Sequence, residues 1–503
     1  MTADRQDDGI DILAFLEQGG LGEPVERVDT HGAYVLLGRD LAWKLKRPVK
    51  FRFLDFSTLP RREKILRDEL DLNRRTAPDI YRRLVPVMRA LDGTLSVGGE
   101  GEPAEWLLEM RRFDQADQLD RLAAEERLDV AVVEKLARNV ARFHAHAAIV
   151  RDRGGHDALA EVVAGNTADL LDLCPTMVEE RSVHDLDQHC RDHLARHREL
   201  LDRRMRDGRV RHCHGDLHLG NIVMLEGEPT PFDCLEFDPD LATVDVIYDL
   251  AFLIMDLLHR GLPAHAQRVL QGWLDVSEDD EAVALLPLCM ATRAAVRAKI
   301  EGLQGQAEPA QAYLSLALSF FRPRPAILVA LGGVSGTGKT SSARGLAPDL
   351  GPAPGAVILR SDVIRKRLHG VEPECPLPAS AYAPEVSERV FRRICERAEV
   401  LLAGGHAVVA DAVYGEAEQR RAIKAVTVET SRPFLGIWLT AAREVLANRI
   451  QGRRNDASDA TVEVLDRQLA AIDMARIEWP RGDASGTPEA TLEGVRRVLR
   501  NGG

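Results

Sequence analysis

Apolar positions along this chain change their spacing from region to region. Between Val25 and Leu45 they fall in short runs broken by turn residues, VERVDTHG, AYVLLGRD and LAWKLKR, which predict short strands. Arg61 to Arg75 shifts to a helical spacing that stops before Pro78. Another strand pair is predicted near Leu84–Met88 and Glu105–Arg111, and Asp120 to Asp207 is helical in pattern and rich in Arg, Asp and Glu. A short apolar strand at Ile222–Leu225 leads through a turn at Glu226–Pro231 to Phe232-Asp233. Asp245 to Leu258 is an apolar helix, and helical character continues to about Phe321. RPRP at 322–325 is a stiff break and the best domain boundary in the chain. Beyond it AILVALGG, AVILRSD, HAVVADAV and FLGIWLT each precede a helical stretch, and this alternation predicts a parallel α/β sheet.

Composition narrows the class. A length of 503 residues leaves room for roughly two to four domains with real cores. Hydrophobic content of 45% with 29% charged residues is ordinary for a soluble globular protein. A formal net charge of −13 argues against a general polynucleotide-binding surface. The seven cysteines are scattered, without a CxxC pair, which fits free thiols in a reducing compartment. No apolar run of about 18 residues predicts a membrane span. The opening MTADRQDDGIDI lacks the basic and apolar regions of a signal peptide, so a cytoplasmic location is the default expectation.

Two stretches carry chemistry. In the first, Ala326–Leu331 is a buried-strand run, Gly333-Val334-Ser335-Gly336-Thr337-Gly338-Lys339-Thr340 follows, and Ser341-Ser342-Ala343-Arg344 can open a helix. Strand, glycine loop and helix in this order make a P-loop. The glycines let backbone N–H groups turn towards phosphate oxygens, and the helix N-terminus adds a favourable dipole. The nucleotide-holding set is Gly333, Ser335, Gly336, Thr337, Gly338, Lys339, Thr340 and Ser341. Lys339 would reach the β and γ phosphates of ATP, and the Thr340 hydroxyl would ligate Mg²⁺. Asp411 ends the apolar strand HAVVAD, where a carboxylate orients the metal or its water. Asp362, in Asp362-Val363-Ile364-Arg365, faces the ligand crevice and can take the proton from an acceptor hydroxyl. Arg365, one helical turn on, points the same way and can bind acceptor or γ-phosphate. The plainer alternative for Asp362 is an N-cap. In NRIQGRRNDASDA, Arg449, Arg453 and Arg454 can close over ATP and stabilise transition-state charge, or form a solvated face.

Together the P-loop, the D-x-x-R and the arginine-bearing segment resemble the small P-loop kinases over about residues 326 to 500. That group includes gluconate-kinase-like enzymes, chloramphenicol phosphotransferase, zeta toxin and the 5′-kinase domain of phage polynucleotide kinase. The resemblance implies transfer of the ATP γ-phosphate to a hydroxyl on a small or exposed substrate, and none of these motifs specifies the acceptor.

The second stretch is His214-Gly215-Asp216-Leu217-His218-Leu219-Gly220-Asn221. Asp216 and Asn221 have the spacing of the catalytic loop in eukaryotic-type kinases. Asp216 would orient and deprotonate an acceptor hydroxyl, and Asn221 would coordinate Mg²⁺. Asp233 stands after a strand–turn–strand, where a second metal-binding aspartate belongs. Metal binding by His212, His214 and His218 is an alternative without an evident fourth ligand.

HGDLHLGN with its following FD resembles the aminoglycoside phosphotransferase and choline kinase group over roughly residues 25–320. That resemblance implies an α+β, protein-kinase-like bilobal domain at 1–321, with an N-lobe at about 20–113 and a helical C-lobe at about 114–321. An α/β P-loop NTPase domain with a parallel sheet then occupies 326–503. Leu41-Ala42-Trp43-Lys44 resembles the strand carrying the ATP-binding lysine. Lys46 faces the same way as Lys44, so period two cannot separate them, and the match to V-A-I-K favours Lys44. Its helical partner would be Glu69, with Glu63 as a rival, and Glu105–Phe113 fits the strand leading to the adenine-binding hinge. Asp249, in the Y-D-L-A segment, is usually structural in the family. The chain departs from the pattern in having one glycine in Thr30-His31-Gly32, FDCLE in place of D-F-G, and an insertion, RPVKFRFLDFSTLPRR. The insertion's Phe51, Phe53, Leu54 and Phe56 suit a local core or an acceptor flap.

The leading expectation is a bifunctional ATP-dependent phosphotransferase, each half phosphorylating a hydroxyl of a small molecule, with ATP and Mg²⁺ as cofactors. Neither a membrane nor a nucleic-acid partner is expected, and the sequence leaves the oligomeric state open. The rivals are an ATP-binding regulator that senses nucleotide and a polynucleotide 5′-hydroxyl kinase in the C-terminal half, against which the acidic balance counts.

Overall fold

The computed structural model of the chain describes residues 11–30, 32–51, 54–236, 239–452 and 457–502. Strands β1 (Glu26–Asp29), β2 (Ala33–Leu37) and β3 (Leu41–Lys46) precede helix α1 (Leu59–Asn73) and strands β4 (Tyr81–Arg89), β5 (Leu95–Val97) and β6 (Glu102–Arg111). These six strands form one antiparallel sheet in the order β1-β2-β3-β6-β4-β5. Alternation along β3 sends Trp43 and Leu45 into a core with Leu36, Val87 and Leu107, which leaves Lys44 and Lys46 together on the other face. Helix α1 buries Arg62, Leu66, Glu69, Leu70 and Asn73, a stripe at helical spacing whose apolar members pack on Ile80, Tyr81 and Leu108. Of the insertion's aromatic residues, Phe56 is buried, with Lys46 Nζ 5.4 Å from its ring centre, while Phe53 lies outside the described residues.

Helices α2 (Leu119–Ala124), α3 (Val130–His146), α4 (Gly155–Asp172) and α5 (Glu180–Arg206) follow. Asp129 caps α3 by accepting the Ala131 N–H, and its buried stripe runs Val133, Leu136, Ala137, Val140, Ala141 and His144. Next come β7 (Val210–His212), the hairpin β8 (Ile222–Leu225) and β9 (Glu228–Pro231), β10 (Thr243–Asp245), which pairs with β7, and α6 (Val246–His259). The hairpin corrects the longer turn expected at Glu226–Pro231. Glu226 and Gly227 alone turn the chain, both at positive φ (52° and 84°), and Glu228–Pro231 is paired strand. Prolines 229 and 231 read as loop, yet a two-stranded ribbon has an outer edge where a missing N–H costs nothing.

The remaining elements are α7 (Pro263–Ser277), α8 (Leu286–Leu303), α9 (Ala307–Ser319), β11 (Leu328–Gly332), α10 (Lys339–Leu346), β12 (Val357–Arg360), α11 (Ser361–Leu368), α12 (Pro384–Ala403), β13 (Val408–Asp411), α13 (Ala417–Glu429), β14 (Phe434–Thr440), α14 (Arg443–Gln451), α15 (Val462–Ala471), β15 (Arg481–Asp483) and α16 (Pro488–Gly502). Strands β11 to β15 form a parallel sheet in the order β12-β13-β11-β14-β15, the α/β arrangement of a P-loop NTPase. Its core holds Val329, Leu331, Ile358, Val409, Ile437 and Leu439, with Leu346 of α10 and Val495 of α16. Four of the strands were predicted from their apolar runs. The fifth, RGD, has exposed ends and no apolar run to mark it.

By packing, the chain falls into two compact units. One runs up to Ala160 and resumes from Arg198 to Asp256, and the other takes Glu161–His197 and everything described from Leu257 on. Within the second unit α7 covers the open edge of the parallel sheet. Gln271 accepts the Ile358 N–H at 2.8 Å and donates to Ile358 O at 3.0 Å, and Gln267 donates to Ala356 O at 2.9 Å. These amides satisfy backbone groups that an edge strand would otherwise leave unpaired. Arg397 of α12 and Asp280 form a buried bidentate pair at 2.7 and 2.8 Å. Among the described residues, no helix is long and apolar enough to cross a membrane.

Candidate functional site

In the first unit, two lysines converge on one carboxylate. Lys44 Nζ donates to Glu69 Oε1 at 2.6 Å, and Lys46 Nζ stands 2.7 Å from Oε2. Lys44 also reaches Asp233 Oδ1 at 3.0 Å, and Lys46 reaches Glu236 Oε1 at 2.7 Å. Glu69 is fully buried on the inner stripe of α1, whereas Glu63 sits on the outer face and pairs with Arg67. Burial pushes the Glu69 carboxyl up, but the two ammonium groups overcome it and hold it down to about 2. Burial likewise works against the charge of Lys44, and Asp233 and Glu69 outweigh it, so its pKa is well above that of an ordinary lysine.

Because the folded-state pKa of Glu69 lies below its ordinary 4.5, its ion pairs stabilise the protein fully above that pH and are lost as pH falls towards 2. Glu69→Gln is therefore expected to be clearly less stable than wild type in urea unfolding at pH 7, with the gap closing between pH 4.5 and pH 2. A gap that stays constant with pH would contradict this.

The loop His214–Asn221 is fixed from below. Asp249 of α6 accepts the N–H groups of His214 (3.2 Å) and Gly215 (2.8 Å) and lies 3.1 Å from His144 Nε2, and Asp256 accepts the Leu219 N–H at 3.0 Å. Asn221 Nδ2 donates to both Asp216 O (3.0 Å) and Asp216 Oδ2 (2.9 Å), so the two predicted residues touch. Asp233 adopts φ 59°, a left-handed conformation uncommon outside glycine, with its N–H on Tyr81 Oη at 3.1 Å and its carboxylate 43% exposed. The histidine alternative is not assembled: His214 Nε2 lies 3.0 Å from Phe232 O, and His218 Nδ1 accepts the Gly220 N–H. Among the described residues the one converging His/Cys/acid group is His144, Cys213 and Asp249, whose aspartate already serves the loop backbone.

In the second unit, the loop after β11 turns through glycines that admit no side chain. Gly333 has φ 140° and Gly336 φ 89°, and a Cβ would come within 2.7 Å of Leu439 O and 2.8 Å of Leu446 O respectively. Thr337 closes the loop by donating to Val334 O at 2.8 Å. Gly338 is the N-cap of α10, which begins at Lys339. Lys339 Nζ rests on Gly333 O (2.8 Å) and Val334 O (3.1 Å). The Thr340 hydroxyl donates to Asp411 Oδ2 at 2.6 Å, because β13 lies beside β11 and ends at the same level. Arg449 donates to Ala484 O at 2.7 Å and stands 3.5 Å from Gly336 O, while Arg453 and Arg454 lie outside the described residues.

Asp362 is not an N-cap. Arg360 occupies that position, and Asp362 sits inside the first turn of α11, where burial raises its carboxyl above the ordinary value against the pull of Arg360. Arg365 donates to Ala381 O at 2.7 Å and Ser387 Oγ at 3.3 Å and lies over the Tyr382 ring at 4.8 Å. A cavity of about 1660 Å³ brings together Lys339, Thr340, Asp362, Arg365, Asp411 and Arg449, and Ser335, Gly336, Gly338 and Ser341 line it as well. Both sites offer oxygen donors of the hard kind that suits Mg²⁺, amide and carboxylate in one, hydroxyl and carboxylate in the other.

Some groups at these sites carry no sequence signal. Gln468 Oε1 accepts the Ser335 N–H at 2.8 Å, and Glu236 and Tyr81 brace Asp233 and its lysines. Glu236 ends the FDCLE segment without a role assigned by its motif, and Gln468 and Tyr81 stand in no motif at all.

Residues 44–286 match the phosphotransferase enzyme family, and residues 328–474 match an AAA domain family. The uncharacterized protein Rv2004c of Mycobacterium tuberculosis is 30% identical over 490 residues, covering 94% of this chain and 95% of the relative. A gluconokinase from Sinorhizobium meliloti matches at 23% identity and TM-score 0.25 over 36% of this chain and 97% of its own. A choline/ethanolamine kinase family protein from Mesorhizobium loti matches at 13% identity and TM-score 0.40 over 62% of this chain and 98% of its own.

Proposed function

Since the chain belongs to the family that joins a phosphotransferase-family domain to a P-loop AAA-type domain, we propose that it is a bifunctional ATP-dependent phosphotransferase. The two activities are assigned to residues 1–321 and 326–503, joined at 322–325. Each would transfer the ATP γ-phosphate to a hydroxyl of a small molecule. What supports the reading is that each site has its polar groups already in contact: Lys44, Glu69 and Asp233, with Asp216 and Asn221, in one; Thr340 and Asp411 beside the glycine loop in the other.

In the first site Lys44 would meet the phosphates of bound ATP, with Glu69 holding its side chain in place. Asn221 and Asp233 would hold the metal. Asp216, held by the Asn221 amide, orients the acceptor hydroxyl and takes its proton. In the second site the loop N–H groups and Lys339 would cradle the phosphates, and Thr340 with Asp411 would hold the metal. Asp362 is the base, and its raised pKa suits it to accept a proton near neutral pH better than an ordinary carboxylate would. Arg365 and Arg449 stabilise charge on the transferred group or the acceptor, a role also assigned to Arg453. Bound Mg²⁺ supplies neutralisation of the crowded phosphate oxygens.

Calorimetric titration of the full chain with a magnesium-bound, non-hydrolysable ATP analogue tests this reading. Two binding events per chain are expected, and Lys339→Met should weaken one of them by roughly tenfold or more without touching the other. A single event, unaffected by Lys339→Met, would contradict it.

A further inference from the structure

The residues just before α15 bind a different part of the cavity lining from the phosphate loop that α15 touches. Arg449 on α14 stands 3.5 Å from Gly336 O, and Gln468 on α15 accepts the Ser335 N–H at 2.8 Å. Between these helices lie Ser458 and Asp459, and they bind elsewhere. The Asp459 carboxylate accepts Lys366 Nζ at 2.7 Å on each oxygen, the Tyr382 hydroxyl at 2.6 Å and the Leu377 N–H at 3.0 Å. The Ser458 side chain hydrogen-bonds the Asp362 carboxylate. All of these groups are on α11 or the segment that follows it, and Asp362, Tyr382, Ser458 and Asp459 all line the cavity. Tyr382 in turn carries Arg365 over its ring.

We propose that Ser458 and Asp459 form a latch that ties α15, whose Gln468 holds the phosphate loop, to the acceptor side of the cavity. In it Asp459 is a positioning residue for Tyr382 and Arg365, and Ser458 is one for Asp362. The proposal rests on nucleotide binding at the P-loop. Its physical basis is the burial of Lys366, whose side chain is 1% exposed. A buried ammonium does not give up its carboxylate without a large penalty, so Asp459 stays docked when Gln468 and α15 adjust to a filled phosphate loop. The adjustment then reaches Tyr382 through its hydroxyl, and Arg365 through the ring beneath it. Such a link makes the acceptor side respond to nucleotide, which favours transfer to an acceptor over idle hydrolysis.

Hydrogen exchange of the full chain, with and without the magnesium-bound non-hydrolysable ATP analogue, tests the latch independently of any acceptor. In wild type, nucleotide should slow exchange both in the phosphate loop, 334–340, and in the acceptor-side segment, 374–387. In Asp459→Asn the second effect should fall by roughly tenfold while the first is retained. Tyr382→Phe removes only the hydroxyl, leaves Lys366 paired, and should also weaken the response of 374–387, which separates the latch from a folding defect. Full nucleotide-dependent protection of 374–387 in both variants would overturn the latch. Absence of protection at 334–340 in wild type would instead overturn the nucleotide-binding reading, and the latch with it.

Discussion

Asp216→Asn is expected to lower turnover at the first site by roughly 10²- to 10⁴-fold, the range for loss of a positioned general base. The change is nearly isosteric, and an asparagine oxygen can still accept the Asn221 amide that now donates to Asp216 Oδ2 at 2.9 Å. The loop itself hangs on Asp249 and Asp256 through the N–H groups of His214, Gly215 and Leu219, and none of those bonds involves Asp216. Thermal stability and nucleotide affinity should therefore stay close to wild type while the chemical step collapses. A steady-state assay of ADP release, paired with a melting curve, checks both halves. Loss of folding along with activity would show that Asp216 carries structure, and unchanged turnover would remove it from the chemistry.

The largest stability effect is expected from Asp280→Ala. Asp280 and Arg397 are 6% and 3% exposed and meet through two parallel hydrogen bonds, so the substitution leaves a buried guanidinium without its hydrogen-bonded carboxylate. Breaking a buried pair from one side costs about 3–5 kcal/mol. Urea unfolding should show this loss in the unit that contains the parallel sheet. Replacing both partners, as in Asp280→Leu with Arg397→Met, should recover most of it, because neither member of the pair is then left buried and charged without the other. A loss below about 1 kcal/mol in the single variant would mean that water reaches the pair, as it does at surface ion pairs. The pair matters for more than stability. It ties the segment after α7 to α12, while Gln267 and Gln271 hold α7 to β12, the edge strand that leads into α11 and Asp362.

The fold was legible wherever chemistry and periodicity agreed. Buried parallel strands are runs of apolar residues, so β11 to β14 declared themselves, and the glycine loop did so because only glycine tolerates its backbone. The spacing of Asp216 and Asn221 singled out the loop His214–Asn221, and the structure shows these two side chains in direct contact. Period two placed Lys44 and Lys46 on one face but could not say which would meet Asp233, since that depends on a loop 189 residues away. The packing of α7 and its neighbours with the parallel sheet was invisible for a similar reason. Gln267, Gln271 and Asp280 are unremarkable polar residues in a helical stretch until an edge strand and an arginine from beyond the linker are set against them. Asp459 and Gln468 belong to the same class: each contact joins distant positions through one side chain, and no local pattern encodes it.

One chain is expected to carry two phosphoryl-transfer sites. This is tested most directly by incubating the full-length protein with ATP and a small-molecule extract, and following products by the mass gain of one phosphoryl group. Wild type, Asp216→Asn and Lys339→Met are compared side by side. Phosphorylated products are expected in wild type, with each variant losing one that the other still makes, or both losing the same final product if the sites act in series. ATP bound by all three proteins with no phosphorylated product in any of them would contradict it and leave a nucleotide-sensing protein in its place.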